Sequence, residues 1–253
     1  MGELPDVRVL VTGGTSGLGL AMATALVQAG AQVAITSRQR ARAQEVADRL
    51  GAHATGIELD VSQPLSIGYG IEEVYEHFGR LDMLVNNAGL GMRTVNPRFM
   101  TEPKPFWEVS PQGFQAVLGT KVTGGFLVAR AVVPRMLEAG AGRLVTISMM
   151  QTTMVRRGFV PYGPSGAAVE AFGRVMAADL EGTPVTANLL LPGGATLTGM
   201  IPDDVSDEVR ARLLDPAVMG PPIVWLASPE AAGIHDQRIV ATEFQDWLAR
   251  VRA

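Results

Sequence analysis

The sequence contains no cysteine, and this absence excludes several classes of protein at once. Disulfide bonds, thiolate zinc centres and iron–sulfur clusters all require cysteine, so none of them contributes to this fold or its chemistry. Histidine is also scarce, and His53, His77 and His235 are scattered without the spacing of a metal site. The sequence therefore predicts a protein without a metal centre.

The chain also lacks excess basic charge and long uncharged apolar runs. Its formal net charge is -4 and it has no basic cluster, which argues against a nucleic-acid partner. The longest apolar pattern, residues 122–137, is interrupted by Arg130 and Arg135, so we expect no membrane span. Asp6 and Arg8 interrupt the start of the chain, which predicts no signal peptide. The expected location is the cytoplasm.

Strand and helix patterns alternate along the chain without a shift in composition. Hydrophobic residues make up 47% and charged residues 18%, as in ordinary globular proteins. This alternation predicts a single α/β domain over residues 1–253, of the Rossmann type. It has a doubly wound parallel sheet of about seven strands and helices on both faces. The last pattern, Thr242 to Ala253, predicts an amphipathic helix whose Phe244, Trp247 and Leu248 pack at a subunit contact.

Three connecting stretches are predicted to be substrate loops: about residues 90–111, 149–161 and 194–216. The first is polar, contains prolines and is too long for an ordinary connection. Within the third, Pro202 to Leu214 predicts a helix on a lid. Methionines concentrate at this end of the predicted sheet, which indicates a roomy apolar pocket, although methionines also pack ordinary cores. They are Met92, Met100, Met149, Met150, Met154 and Met200.

The stretch from Val7 to Gly19, VRVLVTGGTSGLG, combines an apolar strand, a glycine turn and the start of a helix. This arrangement aims backbone N–H groups and the positive end of a helix dipole at a phosphate. Glycine is required because a Cβ would block the pyrophosphate and the close packing of helix on strand. We therefore expect Gly13, Gly17 and Gly19 to form a dinucleotide-binding turn.

Five motifs, in order, resemble the short-chain dehydrogenase/reductase family over nearly the whole chain. They are Thr12-Gly13 with Gly17 and Gly19 (TGxxxGxG), Asp60-Val61, Asn86-Asn87-Ala88-Gly89 (NNAG), Tyr162 and Pro192-Gly193. The resemblance implies an NAD(P)-dependent oxidoreductase that acts on a carbonyl or alcohol, and a homodimer or homotetramer. The cofactor contacts that it implies are Thr12, Gly13, Thr15, Ser16, Gly17, Leu18, Gly19, Ser37, Arg38, Asp60, Val61, Asn87, Ala88, Gly89, Tyr162, Pro192, Gly193, Thr196 and Thr198.

The end of the predicted second strand bears on which dinucleotide binds. An acidic residue there would accept hydrogen bonds from the ribose hydroxyls of NAD. This chain has Ser37-Arg38 instead, followed by Arg40 and Arg42. A guanidinium beside a hydroxyl suits a 2′-phosphate, so NADP(H) is preferred over NAD(H). The alternative is an arginine-rich helix face in contact with solvent.

Three positions of the family's catalytic tetrad carry other residues here. Tyr162 matches the tyrosine, whereas Gly166 stands at the lysine position, Met149 at the serine position and Lys121 at the asparagine position. Bringing an ordinary tyrosine pKa of about 10 to neutrality requires about 4 kcal/mol. A cation about 4 Å away supplies roughly that amount at an effective dielectric constant of ~20. Without one, we expect a protonated phenol and slow proton exchange.

Lys121 is the predicted replacement cation. Only two of the 21 lysine and arginine residues are lysines, and a lysine offers a compact charge with a shiftable pKa. We hypothesise that its ammonium occupies the space left at Gly166; the alternative is a lysine that points to solvent. Ser148, or else Thr152 or Thr153, would take the role of the missing serine. The predicted catalytic set is Tyr162, Lys121 and Ser148.

Two other functional classes stay open on the sequence alone. One is a regulatory protein that binds the cofactor without transferring hydride, and the other is an enzyme that uses Tyr162 for proton transfer without redox chemistry. Fold does not decide between them, because function depends on the site. Arg156 and Arg157 suit an anionic group of a small, partly apolar substrate, or else form a solvated charge pair.

Overall fold

The structure is a computed structural model that describes residues 3–252, so the predicted ends of the domain and of the last helix at Ala253 lie outside it. Within these residues, seven strands form one sheet. They are β1 (Arg8–Val11), β2 (Gln32–Ser37), β3 (Ala54–Glu58), β4 (Met83–Asn86), β5 (Gly142–Ile147), β6 (Val185–Leu191) and β7 (Arg238–Val240). The spatial order is β3-β2-β1-β4-β5-β6-β7, and every neighbouring pair is parallel. The predicted doubly wound sheet is confirmed.

Helices cover both faces of this sheet. In the described part of the chain they are α1 (Gly17–Gln28), α2 (Arg40–Leu50), α3 (Pro64–Phe78), α4 (Pro111–Leu118), α5 (Gly124–Glu138), α6 (Gln151–Met154), α7 (Tyr162–Asp179), α8 (Asp207–Ala211), α9 (Gly220–Ala227) and α10 (Phe244–Arg252). Alternation along β1 sends Val9 and Val11 into the core on one face and Leu10 into the core on the other. The central strands are therefore continuous apolar runs.

The helical run between β4 and β5 is continuous but irregular. A π-helical turn, Gly119–Thr123, joins α4 to α5. This run, residues 111–138, is long and apolar enough to span a membrane. Core helices of soluble proteins meet the same criteria of length and composition. Its Val128, Val132 and Met136 are buried in the core beside α3 and the sheet. Lys121 lies in the middle of this π turn, whose wider backbone differs from that of the two α-helices it joins.

Two predicted helices differ from expectation. The stretch from Pro202 to Leu214 is helical only over α8, because Asp203 and Asp204 accept hydrogen bonds from the loop after β4, and Ser206 caps the helix that follows. In the C-terminal helix, the apolar side chains expected at a subunit contact lie elsewhere. Phe244, Trp247 and Leu248 on α10 are buried in the core of this same chain.

The sheet topology decides where a site can lie. The chain crosses from the β1–β2–β3 half to the β4–β7 half between β1 and β4. The helices that follow these two strands pack on opposite faces of the sheet, and a crevice opens above the carboxyl ends of the strands. The glycine turn, the NNAG motif and the start of α7 all face this crevice.

Candidate active site

One cavity of about 980 Å³ lies along the carboxyl ends of β1–β6. It is lined by every predicted site residue except Thr12 and Gly193, including the three predicted catalytic residues Tyr162, Lys121 and Ser148. All three predicted substrate loops contribute to its wall. We call the part formed by the glycine turn and the ends of β2, β3 and β4 the cofactor half. The part formed by Lys121, residues 148–159 and Tyr162 is the catalytic half.

The glycine turn is built as a phosphate cradle. Gly13 and Gly17 have φ values of 65° and 54°, in the left-handed region that favours glycine. A Cβ on Gly19 would lie 2.3 Å from the Gly13 carbonyl oxygen, so only glycine fits at the start of α1. These are the features that an anionic pyrophosphate needs beside a helix N-terminus. The residues present therefore fit a dinucleotide.

Thr12 supports this cradle from behind and does not line the cavity, which corrects the prediction of a direct contact. Its buried hydroxyl donates to the Val85 carbonyl oxygen at 3.2 Å and accepts from the Asn87 and Ala88 N–H groups at 3.0 and 3.1 Å. The Asn87 side-chain amide donates to the Thr12 carbonyl oxygen at 2.9 Å. The ends of β1 and β4 are thus fixed to each other.

Gly193 is the second predicted contact that lies outside the cavity lining. Its φ is 101°, and a Cβ there would lie 2.1 Å from the Thr242 hydroxyl oxygen. The glycine is needed for packing against the chain that follows β7. Its neighbours Pro192 and Gly194 line the cavity instead. Thr198 packs over the glycine turn, 3.3 Å from where a Cβ on Gly17 would lie.

The three arginines after β2 have different surroundings. Arg40 forms a two-pronged ion pair with Glu73, and Arg42 pairs with Glu45 on the exposed face of α2. Arg38 lines the cavity, and within residues 3–252 no carboxylate lies within ion-pair distance of it. Arg38 is therefore the free guanidinium at this end of the cavity.

Asp60, which follows β3, shapes the turn before α3 and forms part of the cavity wall. Its Oδ1 accepts hydrogen bonds from the Ser62 N–H at 2.9 Å and the Ser62 hydroxyl at 2.7 Å, which shapes the turn into α3. The same residue lines the cavity beside Val61.

Lys121 and Tyr162 meet in the catalytic half. The Lys121 Nζ lies over the aromatic ring of Tyr162, 4.8 Å from its centroid. A cation in this position is attracted by the negative face of the ring. Burial lowers the pKa of Lys121 to about 8, and burial also raises the pKa of Tyr162 above its ordinary value. At neutral pH the pair is an ammonium facing a protonated phenol.

The stem of Lys121 reaches this position across Gly89, the last residue of the NNAG motif. A Cβ on Gly89 would lie 2.3 Å from Cγ of Lys121. Because Gly89 has no side chain, the stem of the lysine can pass over it into the cavity. The π turn at Gly119–Thr123 carries the lysine to this path.

The space at Gly166 is filled by Met149 and not by Lys121, which corrects the hypothesis from the sequence. A Cβ on Gly166 would lie 2.5 Å from Cε and 2.6 Å from Sδ of Met149. The two unusual residues are thus complementary in shape, a large side chain against a missing one. An apolar wall stands where the family pattern places a lysine and a serine.

Ser148 faces a different partner. Its hydroxyl donates to Oε2 of Glu170 at 2.8 Å, and Glu170 also pairs with Arg238. Arg238 in turn donates to the Met149 carbonyl oxygen at 3.1 Å. This network fixes the backbone after β5. Of the two threonines considered as substitutes, Thr153 lines the cavity and Thr152 does not.

Two loops close over the catalytic half. Arg93 donates to Oδ2 of Asp203 at 2.7 Å, and Arg98 and Thr101 both donate to Asp204. Met200, on the second of these loops, lines the cavity with its Sδ 4.0 Å from the Tyr162 hydroxyl. Five of the six methionines named from the sequence line the cavity; the exception is Met154.

Several residues that line the cavity were not predicted from the sequence. Gln112 and Gln115 face the cavity from α4, and Phe159 forms part of its floor with Met92 and Phe99. The spacing of the two glutamines on one helix face was the available signal for them. The part of the chain from residue 3 to 252 contains no group of three His, Cys, Asp or Glu residues able to hold a metal ion.

Comparison with known proteins decides the family. The family model described as short chain dehydrogenase matches residues 7–209. The chain is a member of the short-chain dehydrogenase family. It therefore belongs to the NAD(P)-dependent oxidoreductases, whose members act on small molecules. This agrees with the cofactor cradle described above.

Individual relatives support the same assignment. The 3-oxoacyl-[acyl-carrier-protein] reductase FabG of Vibrio cholerae is 31% identical over 232 residues, which cover 89% of this chain and 91% of that protein. The 5-keto-D-gluconate 5-reductase of Escherichia coli is 31% identical over 194 residues, covering 76% and 72% of the two chains. A structure of 3-ketoacyl-(acyl-carrier-protein) reductase from Brucella melitensis complexed with NADH superposes with a TM-score of 0.82. It is 26% identical and covers 94% of this chain and 97% of that one.

Proposed function

We propose that this short-chain dehydrogenase is an NADPH-preferring carbonyl reductase in which Lys121 replaces the lysine of the family's tetrad. The observation that carries the proposal is the position of the Lys121 Nζ, 4.8 Å from the centroid of the Tyr162 ring and in the same cavity as the glycine turn. The replacement keeps a cation beside the phenol but brings it from a different helix. The substrate is a carbonyl compound or, in the reverse direction, its alcohol.

Pro192, Thr196 and the NNAG segment would hold the nicotinamide of a bound NADPH, which would supply the hydride. The protein supplies the proton. Because the pKa of Tyr162 is raised by burial, its phenol is protonated at neutral pH and donates its hydrogen to the substrate oxygen. This protonation state favours reduction over oxidation, since oxidation requires the phenolate as base. Ser148 takes no part in the step, because its hydroxyl donates to Glu170.

Lys121 stabilises the charge that appears on the phenol oxygen as the proton leaves. Its pKa of about 8 keeps the amine mainly protonated at pH 7, so a cation is present when the phenolate forms. Above pH 8 the amine loses its proton and this stabilisation disappears. The reduction rate is therefore expected to fall as the pH rises through about 8.

The preference for NADPH rests on Arg38. It lines the cavity at the end of β2 beside Ser37, and its neighbours Arg40 and Arg42 are already paired with carboxylates. A guanidinium without an acidic partner suits a 2′-phosphate, to which it donates two parallel hydrogen bonds.

The substrate has an apolar part. Met92, Met100, Met150 and Met200 form the wall opposite the cofactor half, together with Phe159. Thioether side chains adapt to irregular apolar groups, so the site suits a hydrophobic chain or ring attached to the carbonyl.

The same proposal includes a homodimer or homotetramer. Phe114, Phe126 and Leu137 are exposed along the helical run 111–138, and Val175 is exposed on α7, which packs beside it. An apolar face of this kind on two adjacent helices suits a second copy of the chain. Size-exclusion chromatography with light scattering measures the assembly, and a monomer at micromolar concentration would contradict it.

The function is tested in two stages. Fluorescence titration with NADPH and NADH measures binding, and a screen of apolar ketones followed at 340 nm measures turnover. We expect Tyr162→Phe and Lys121→Met to reduce turnover by roughly a hundredfold or more with little change in NADPH affinity. Lys104→Met, at the other lysine, which is exposed and outside the cavity, is the matched control. Cofactor binding without turnover of any ketone would identify a cofactor-binding protein instead.

A further inference from the structure

The charge of the cavity lining is opposite to that of the whole chain. The chain carries a net charge of -4, yet the cavity is lined by four cations, Arg38, Arg93, Lys121 and Arg156. Among the described residues that line it, Asp60 is the only carboxylate, and Asp60 lies in the cofactor half. The catalytic half therefore has a positive potential, which favours an anionic ligand.

Three of these cations already have a partner or an assigned role. Arg93 pairs with Asp203, and Lys121 lies over the Tyr162 ring. Arg38 stands at the opposite end of the cavity, where the 2′-phosphate is proposed to bind. Arg156 is different, because within residues 3–252 no carboxylate lies within ion-pair distance of its guanidinium.

Local packing holds Arg156 in place at the edge of the catalytic half. Its guanidinium carbon lies 4.8 Å from the centroid of the Phe159 ring. Phe159 is buried and meets Phe99 edge-to-face, with 5.3 Å between the ring centroids. The Phe159 N–H donates to the Arg156 carbonyl oxygen at 3.2 Å, which closes the turn between them. The arginine is thus oriented before any ligand binds, and a stacked guanidinium keeps its edge free for hydrogen bonds.

The floor beside Arg156 is apolar and leads to the phenol. Phe159 belongs to a small cluster with Met92 and Phe99, against which Met100 and Tyr162 also pack. A ligand that spans this cluster has its apolar body on the methionines and rings. One end then reaches Tyr162 and the other reaches Arg156.

We propose that Arg156 binds an oxyanion of the substrate, so that the preferred substrates are amphipathic keto acids. The carbonyl faces Tyr162, the hydrocarbon part covers the methionine and phenylalanine cluster, and a carboxylate or phosphate accepts hydrogen bonds from Arg156. This inference rests on the proposed function for the position of the carbonyl. The binding contribution of Arg156 does not depend on hydride transfer.

The test compares an acid with its neutral ester. Calorimetry measures the Kd of 4-oxo-4-phenylbutanoate and of its methyl ester on the protein saturated with NADP. We expect the acid to bind about tenfold more tightly, because a charge-assisted hydrogen bond to a partly exposed arginine contributes on the order of 1.4 kcal/mol. Arg156→Gln should remove this difference. Arg157→Gln, which removes an equal charge from a neighbour outside the cavity lining, should leave it intact.

The outcomes separate this inference from the function on which it rests. Acid and ester that bind equally, or an acid that does not bind at millimolar concentration, would overturn the oxyanion site. An equal loss from the Arg156 and Arg157 variants would also overturn it, since it would show only a general charge effect. Acid binding that depends on Arg156, without oxidation of NADPH, would leave the oxyanion site standing and refute the reductase. A higher KM with unchanged kcat in Arg156→Gln is expected where turnover occurs.

Discussion

The two halves of the cavity are built on different principles. In the cofactor half, backbone atoms and glycines fix the shape: Thr12 and Asn87 join the ends of β1 and β4, and Gly19 has no space for a Cβ. In the catalytic half, side chains fix the shape: Met149 fills the space beside Gly166, and Lys121 crosses Gly89. A phosphate cradle depends on backbone geometry, whereas stabilisation of a phenolate requires only a nearby positive charge. The second requirement can be met from more than one position in the sequence.

The largest effect is expected from a change in the cofactor half. Gly19→Ala places a methyl group 2.3 Å from the Gly13 carbonyl oxygen and 2.5 Å from the Asn87 side-chain nitrogen. We expect NADPH affinity to fall by roughly two orders of magnitude, since the turn must open. The control is Gly68→Ala, at an exposed position of α3 where a Cβ would meet nothing within 4 Å. Fluorescence titration measures both variants, and normal affinity in the first would mean that the cradle is not rigid.

The next prediction concerns the complementary pair in the catalytic half. Gly166→Lys alone meets the Met149 side chain and should destabilise the fold by about 1–3 kcal/mol without raising turnover. Gly166→Lys combined with Met149→Ser removes the conflict and supplies both a cation and a hydroxyl. We expect its turnover to exceed that of the wild type by about a hundredfold. Steady-state rates at 340 nm and urea unfolding measure the two effects. A single variant as active as the double one would show that the two positions are independent.

A smaller effect is expected at the end of β2. Arg38→Gln removes the free guanidinium and should reduce NADPH affinity by about thirtyfold, while NADH affinity stays unchanged. Arg42→Gln serves as the control, because that arginine pairs with Glu45 on the exposed face of α2. Both affinities come from the same titration. Equal losses for NADPH and NADH would contradict a 2′-phosphate contact.

The smallest effect links stability to pH. Burial holds the pKa of Lys121 at about 8, below its value in the unfolded chain, so the charged amine destabilises the fold below pH 8. This destabilisation decreases as the pH rises from 8 towards the ordinary lysine pKa, because the amine loses its proton in the folded chain before it does in the unfolded chain. We expect Lys121→Met to be more stable than the wild type by about 1 kcal/mol at pH 7 and by less at pH 10. Urea unfolding at both pH values, with Lys104→Met as control, checks this. A gain of equal size at both pH values would point to packing and not to charge.

The cofactor half could be predicted from the sequence because its determinants are local. The glycine turn lies within one strand–turn–helix unit, and the ends of parallel strands must meet at one edge of the sheet. The exceptions, Thr12 and Gly193, are absent from the lining of this cavity because each packs against a neighbour distant in the sequence, the NNAG segment for Thr12 and Thr242 for Gly193. Separation in the sequence also explains why the packing of α10 was not predicted. Its apolar side chains pack on Trp225 of this same chain.

The sequence by itself determined the order of strands and helices, the glycine cradle and the presence of a tyrosine without its usual lysine and serine. Hydrophobic periodicity and backbone sterics act over short distances, so they can be read from neighbouring residues. Only the tertiary structure decided that Met149 fills the space at Gly166 and that Lys121 reaches Tyr162 across Gly89. Those contacts join residues on different elements, and their geometry depends on how the helices pack on the sheet.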